Sequence, residues 1–383
     1  MECGVSGVWG MINGVGCWYK AWFKAAIKGV GHVCFGLLCV ALLGGCSSTR
    51  YLWQAASGHL SVLAASRDVD DVLNDPETPG LIRQQLAYAR DIRQYSVEVL
   101  GLPDNQSYRR YADVGRPYVV WNVVIAPADS LDLKKSCFPI TGCISYRGFY
   151  DETDAKAYAE PFRAEGMDVA VIGVPAYSTL GYTPDPLLNT FIRFPAGELA
   201  RMVFHELAHQ VLYVADDTVF NESFASAVEE LGVNAWLSDS TRVGLKAQYD
   251  RFDVKRMAFR DLMAKARADL KMLYDDDSLT PEDKQRRKAI RFATLRRDYD
   301  QLKANWDGWP GFDPYMSVDL NNAKLAVSGL YDDDVPGFKR LFAVCGDNFG
   351  RFYSAARWLA DQSPDVRRQW GTGNPSLITA CPS

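Results

Sequence analysis

Near the middle of the chain the sequence reads ELARMVFHELAHQVLYVADDTVFNESFASAVEELG, and no other stretch restricts the fold as tightly. His205 and His209 stand four residues apart, so on an α-helix their rings lie one turn above each other on the same edge, with Glu206 on a neighbouring edge. The flanks read as helix: Pro195 lies near the start, and Leu199, Val203, Leu207, Val211 and Leu212 supply an apolar face. Asp216-Asp217-Thr218 reads as a break. FNESFASAVEEL then reads as a second helix returning antiparallel, and the 12 residues between His209 and Glu222 suffice for a last turn, a loop and the next helix's first turns.

The arrangement H-E-x-x-H lets both imidazoles face one metal ion while Glu206 holds a water. Zinc bound for catalysis takes three protein ligands and leaves a position for that water. Of the four histidines, His32 precedes Cys46 and His59 lies far upstream in a helical pattern. Leu212 and Ala215 occupy the places where the H-x-x-G-x-x-H version needs glycine and histidine, so the third ligand is expected to be a carboxylate, with Glu222 the best candidate. Glu229, two turns along the same face, is expected to orient a ligand histidine from behind. The cofactor implied is one Zn2+ per chain. Against this stands a helix whose two histidines are merely satisfied polar residues; two ligands, an adjacent base and a third ligand on a return helix would then have to coincide.

Lys20, Lys24 and Lys28 precede the apolar run VGHVCFGLLCVALLGGC, after which the chain turns polar. That order suits a secretion signal, and the run is short for a membrane span, although an uncleaved anchor helix is the alternative. Leu43-Gly44-Gly45-Cys46 resembles the lipobox of bacterial lipoproteins. The resemblance implies that residues 1–45 are removed and that lipid on Cys46 holds the protein to a membrane through a tether at 46–50; with no internal repeat, low-complexity tract or proline-rich linker beyond it, 51–383 are expected to form one domain. Translation from Met11 would change nothing downstream. By the same resemblance, Ser47 after the lipidated cysteine implies the outer membrane, facing the periplasm. Four of the nine cysteines lie beyond Cys46, an even number suited to disulfides in an oxidising compartment. Cys137 with Cys143 and Cys345 with Cys381 is the preferred pairing because each closes a local loop; two free pairs are the alternative. A net charge of −5 with scattered basic residues leaves no footprint for nucleic acid.

Elsewhere YLWQAASGHLSVLAASRDVDDVL and LIRQQLAYARDIRQYSVEVLGL have helical spacing. RPYVVWNVVIAP and GMDVAVIGVPAYSTLGY read as strands rich in β-branched residues. LKAQYDRFDVKRMAFRDLMAKARADLKMLYDDD continues for many turns, and Thr280-Pro281-Glu282-Asp283 starts another helix with a capping threonine and proline at the first position. The expectation is an α+β, helix-rich domain with a small sheet and a long helical hairpin.

Asn221-Glu222-Ser223-Phe224-Ala225 resembles the N-E-x-F-A glutamate helix of aminopeptidase N zinc peptidases, which selects Glu222 over Glu229 and Glu230 as metal ligand. The connection from His209 is shorter than in that family, and no G-A-M-E-N segment is present. FHELAHQ, FNESFA, LGLPDNQSYRRYADVGRPYVVWNVV, AYSTLGY and NNAKLA together resemble the predicted aminopeptidases of bacterial envelopes, over Tyr51 to about Leu359. This implies a zincin-like fold and a zinc metallopeptidase acting on a peptide or protein, with Glu206 as general base; it carries nothing on oligomeric state. Tyr331 is the chosen donor to the oxyanion among 19 tyrosines. A strand ending in Ala176-Tyr177-Ser178-Thr179 is expected to line the cleft and take substrate as an added strand. The alternative is a zinc-retaining envelope lipoprotein acting in binding or assembly, with little or no hydrolysis.

Overall fold

The structure is a computed structural model that describes residues 46–138, 142–317, 320–329, 334–371 and 380–381. Two units are distinguished, Met1–Ser57 and Gly58–Ser383, and the site lies in the second. Helix α1 (Cys46–Ala64) begins the described chain. A strand, β1 (Ser66–Asp68), then interrupts the run that reads as one helix in the sequence. Asp68 caps the short helix α2 (Val69–Asn74), and helix α3 (Gly80–Glu98) buries Ile82, Leu86, Ala89 and Ile92, one stripe at helical spacing. The interruption has a tertiary cause: β1 pairs antiparallel with β2 (Arg110–Ala112), and Arg110 donates to the hydroxyl and carbonyl of Ser66.

The main sheet is centred on β3 (Val120–Ala126), whose residues are nearly all buried. Strands β4 (Ser136–Phe138) and β5 (Gly142–Ile144) form a hairpin in which Cys137 is bonded to Cys143. Strand β6 (Arg147–Phe149), helix α4 (Glu152–Ala164) and strand β7 (Asp168–Val174) follow. The sheet order is β6-β3-β7, antiparallel throughout, with β3 and β7 in register from Val120 opposite Val174 to Ala126 opposite Asp168. Strand β8 (Leu187–Leu188) joins β2 in parallel.

Two buried helices occupy the centre of the core, α5 (Ala196–Ala208) and α6 (Thr218–Leu237). Gly232 lets them approach, because a Cβ there would meet the Phe204 ring at 2.9 Å. Helices α7 (Val243–Tyr274) and α8 (Pro281–Ala304) form the long hairpin, which has its own core of Phe259, Met263, Leu270, Phe292 and Leu295. Thr280 caps α8 by accepting the Asp283 N–H, with Pro281 at a position where no N–H is needed. Short helices α9 (Asp313–Ser317) and α10 (Asn322–Val327) precede α11 (Val335–Val344), α12 (Phe349–Ala360) and α13 (Pro364–Gly371). Phe338 on α11 packs edge-on against Phe220 and Phe224 of α6, and a second disulfide joins Cys345 to Cys381.

Candidate metal centre

Helix α5 is apolar around most of its circumference, so it is buried on all sides rather than lying on a surface. It ends at Ala208. His209 is the C-cap, still in right-handed helical conformation, and its N–H bonds to His205 O at 3.3 Å. The sequence pattern extends the apolar face through Val211 and Leu212; in the structure both lie beyond the helix, Val211 in a turn and Leu212 in the irregular segment after it. The cause is Asn221, whose side chain accepts from Val214 N–H and donates to Val214 O, each at 2.7 Å, tying the loop to the next helix. Asp217 caps α6 by accepting the Phe220 N–H. Asp216, at φ 68°, is held by the Cys143 N–H at 2.6 Å, and Gly142 has no room for a Cβ against it. The loop is thus pinned from two directions, and Glu222 follows immediately after the Asn221 clamp.

Three donor atoms converge. His205 Nε2 lies 3.2 Å from His209 Nε2 and 3.2 Å from Glu222 Oε2, and His209 Nε2 lies 3.6 Å from that same oxygen. Around a four-coordinate divalent ion with bonds of about 2.0–2.1 Å, neighbouring donors sit about 3.3 Å apart. The chemistry of the set also fits a cation. His205 Nδ1 is 3.1 Å from Glu229 Oε2, an acceptor, so Nδ1 carries the hydrogen. Burial lowers the His205 pKa and favours the neutral ring, which leaves a lone pair on Nε2 facing the Glu222 carboxylate. Two acceptors this close repel unless a positive charge lies among them, either a proton on His209 or a metal ion. These three residues are the group that could hold a metal ion among the described residues.

The electrostatics separate the two glutamates. Burial alone would raise the Glu222 pKa, but the His209 and His205 rings outweigh it and hold the carboxyl at about 2. Glu206 is also buried yet has no such pair of hydrogen bonds, and burial pushes it up to about 7 despite the pull of His209. For His209 burial works downward, and the two carboxylates, Glu222 first, raise it overall. One glutamate is therefore a fixed anion and the other a group poised to exchange protons near neutrality.

Behind His205, Glu229 has its other oxygen bound by Arg201, which also donates to Tyr249 Oη at 3.3 Å. Arg201 lies one turn before His205 on α5, a spacing visible in the sequence. Strand β7 stops at Val174, so Ala176-Tyr177-Ser178-Thr179 is not a strand end but an irregular segment crossing the site. Tyr177 Oη is engaged with His59 Nδ1 at 2.7 Å, and Thr179 gives its N–H and hydroxyl to the buried Asp185 at 2.9 and 2.8 Å. Ser178 donates to Glu206 O on α5 at 3.4 Å. The backbone of this segment is held by Asp185, which accepts from Thr179, and by Thr190, whose hydroxyl donates to Pro175 O at 2.5 Å.

Tyr331 lies outside the described residues, as do residues 1–45 and the Cys46 side chain. Another tyrosine adjoins the site: the Tyr213 ring is edge-on to His209 at 6.5 Å, and its pKa is raised by burial and then by Glu222. Asp185 and Tyr108, also close to this region, carry no signal of spacing that could have marked them in advance.

A family model described as Putative aminopeptidase matches residues 50–370. No curated protein and no solved structure matches the chain.

Proposed function

The chain belongs to the putative aminopeptidase family, and from that premise we propose that it is a zinc-dependent peptidase, held by lipid on Cys46 in a bacterial envelope. One observation carries the reading: the metal-binding atoms of His205, His209 and Glu222 lie within 4.8 Å of one another. Two imidazole nitrogens and one carboxylate oxygen are a donor set used by catalytic zinc, and a zincin-like fold is consistent with the helix-loop-helix that carries them. Such an ion, when bound, supplies Lewis acidity that lowers the pKa of water and polarises a scissile carbonyl.

The chain's own residues supply the rest. Glu206, raised to about 7, takes the proton of the attacking water and gives it to the departing amine, a role that requires both forms to be accessible near neutral pH. Glu222 stays ionised throughout. Glu229 fixes the tautomer of His205, and Arg201 fixes Glu229. Tyr213 is the described tyrosine best sited to face substrate beside His209. Residues 1–45 act as the signal, and delivery to the outer membrane follows from Ser47.

The test is metal analysis of the purified protein, with digestion of a mixed peptide library before and after chelation. About one zinc per chain, and cleavage that stops with its removal, is the expected result. Protein purified without chelators that neither holds nor takes up a divalent ion would overturn the proposal.

A further inference from the structure

We infer that the cavity between the start of α5 and the open end of the long hairpin binds an aromatic carboxylate, its rings taking the aromatic body and Arg251 with Lys255 the anionic group. The inference is independent of the peptidase reading. The cavity has a volume of about 930 Å³ and is walled by Phe194, Tyr249, Phe252, Trp306 and Trp309. That size and that apolar lining are usual for a site that takes a small molecule. Glu198 borders it, seven residues before His205 on α5, so the cavity begins about 10 Å along the helix axis from the metal-binding cluster.

The walls are set in place by their own contacts. Trp309 meets Trp306 edge-on at 6.1 Å and Phe252 edge-on at 5.5 Å. Arg256 lies over the Phe252 and Tyr249 rings, at 4.7 and 5.4 Å, and donates to the two oxygens of Glu198 at 2.6 and 3.0 Å. Phe252, Trp306 and Trp309 nonetheless remain partly exposed, although Trp306 packs on the hairpin's own core. Rings held this way offer a further ring the edge-on and offset arrangements in which aromatic pairs attract.

The charges select among aromatic compounds. Along α7, Lys246, Lys265 and Lys271 each pair with an aspartate four residues on, and Arg256 and Arg260 pair with Glu198 and Glu230. Arg251 and Lys255 depart from that pattern: they stand four residues apart, both line the cavity, and neither forms an ion pair among the described residues. Like charges one turn apart on a helix repel, and an anion between them relieves the repulsion. Lys255 Nζ lies 4.6 Å from the Trp309 ring, which joins the charge to the aromatic wall. With Glu198 neutralised by Arg256, only Asp307 opposes the two cations in the lining. One positive charge is left over, which matches a carboxylate better than a doubly charged phosphate.

Isothermal titration calorimetry of the full chain with naphthoate and with its uncharged amide tests this. Naphthoate is expected to bind at least tenfold more tightly than the amide. Arg251→Gln, at an exposed position, should lose most of that preference while the amide's affinity and the Tm stay as in wild type. Equal affinity for the two compounds, a preference kept in full by the variant, or no binding at millimolar naphthoate would each overturn the inference. Trp309→Leu should weaken both compounds tenfold or more, and unchanged affinity would also overturn it; should that change lower Tm, the Arg251 variant decides alone. Competition against bound naphthoate separates two sources of the same chemistry. Stronger displacement by N-acetyltryptophan than by a hexapeptide ending in tryptophan marks a free acid as the ligand, the reverse order marks the carboxyl end of a peptide, and displacement by neither overturns the assignment.

Discussion

Glu229 Oε2 lies 3.1 Å from His205 Nδ1, while the other oxygen of Glu229 is bound by Arg201. All three are buried, so His205 reaches the metal-binding cluster with its tautomer already chosen by a charge two helical turns beyond Glu222. A ring free to rotate would pay that ordering cost each time an ion binds.

Glu229→Ala should therefore weaken metal binding by about 10–100-fold, the usual effect of removing such a partner. Competition with a chromophoric chelator measures this. Equal affinity in variant and wild type would leave Glu229 with a purely structural part, balancing Arg201.

Glu206→Gln separates catalysis from scaffolding. The side chain keeps its shape and is not among the three converging ligands, so bound zinc should remain at wild-type level. Turnover should fall by at least about 100-fold, the lower range for loss of a general base. Should the cellular phenotype survive this change, the binding or assembly reading would be favoured over hydrolysis.

Asp185 gives a pH signature in stability. It is 1% exposed, and burial raises its pKa from 3.8 to about 6 against the hydrogen bonds of Thr179 and Thr183. A raised carboxyl pKa means the folded chain holds a proton that the unfolded chain releases. The associated stability is fully present below pH 3.8 and lost as pH rises through about 6. The difference of about two pKa units corresponds to about 3 kcal/mol. Urea unfolding from pH 4.5 to 7.5 should show wild type gaining on Asp185→Asn as pH falls; a constant gap between the two would contradict the assignment.

Cys46→Ala should move the protein from the membrane fraction to the soluble fraction of the envelope. Blotting of fractionated cells reads the outcome, and unchanged membrane association would point to an uncleaved anchor helix instead.

Much of the candidate centre is legible before any coordinates. His205, Glu206 and His209 follow from a helical repeat of four; the break at Asp216-Asp217-Thr218 and the loop length put Glu222 on a second helix, and the likeness to the N-E-x-F-A pattern singles it out from Glu229 and Glu230. The Thr280 cap and Pro281 mark the hairpin for similar reasons, since capping is a contact between residues three apart. Where local pattern is overruled, a distant partner is responsible. Ser66-Arg67-Asp68 reads as helix until Arg110 claims Ser66, and Val211 reads as helix until Asn221 claims Val214. Tyr177 to Thr179 read as a strand continuing β7, but His59 and Asp185 divert two of their side chains.

The sequence by itself determined the helix pair, the donor types and their order, because periodicity, capping and loop length are properties of neighbours along the chain. Only the tertiary structure decided which segments enclose the centre. Residues 105–108, 142–143 and 178–185 reach it through hydrogen bonds to Gln210, Asp216 and Glu206 from far away in sequence. Contacts of that kind are chosen by packing and by the need to satisfy buried polar groups, neither of which leaves a local pattern to read.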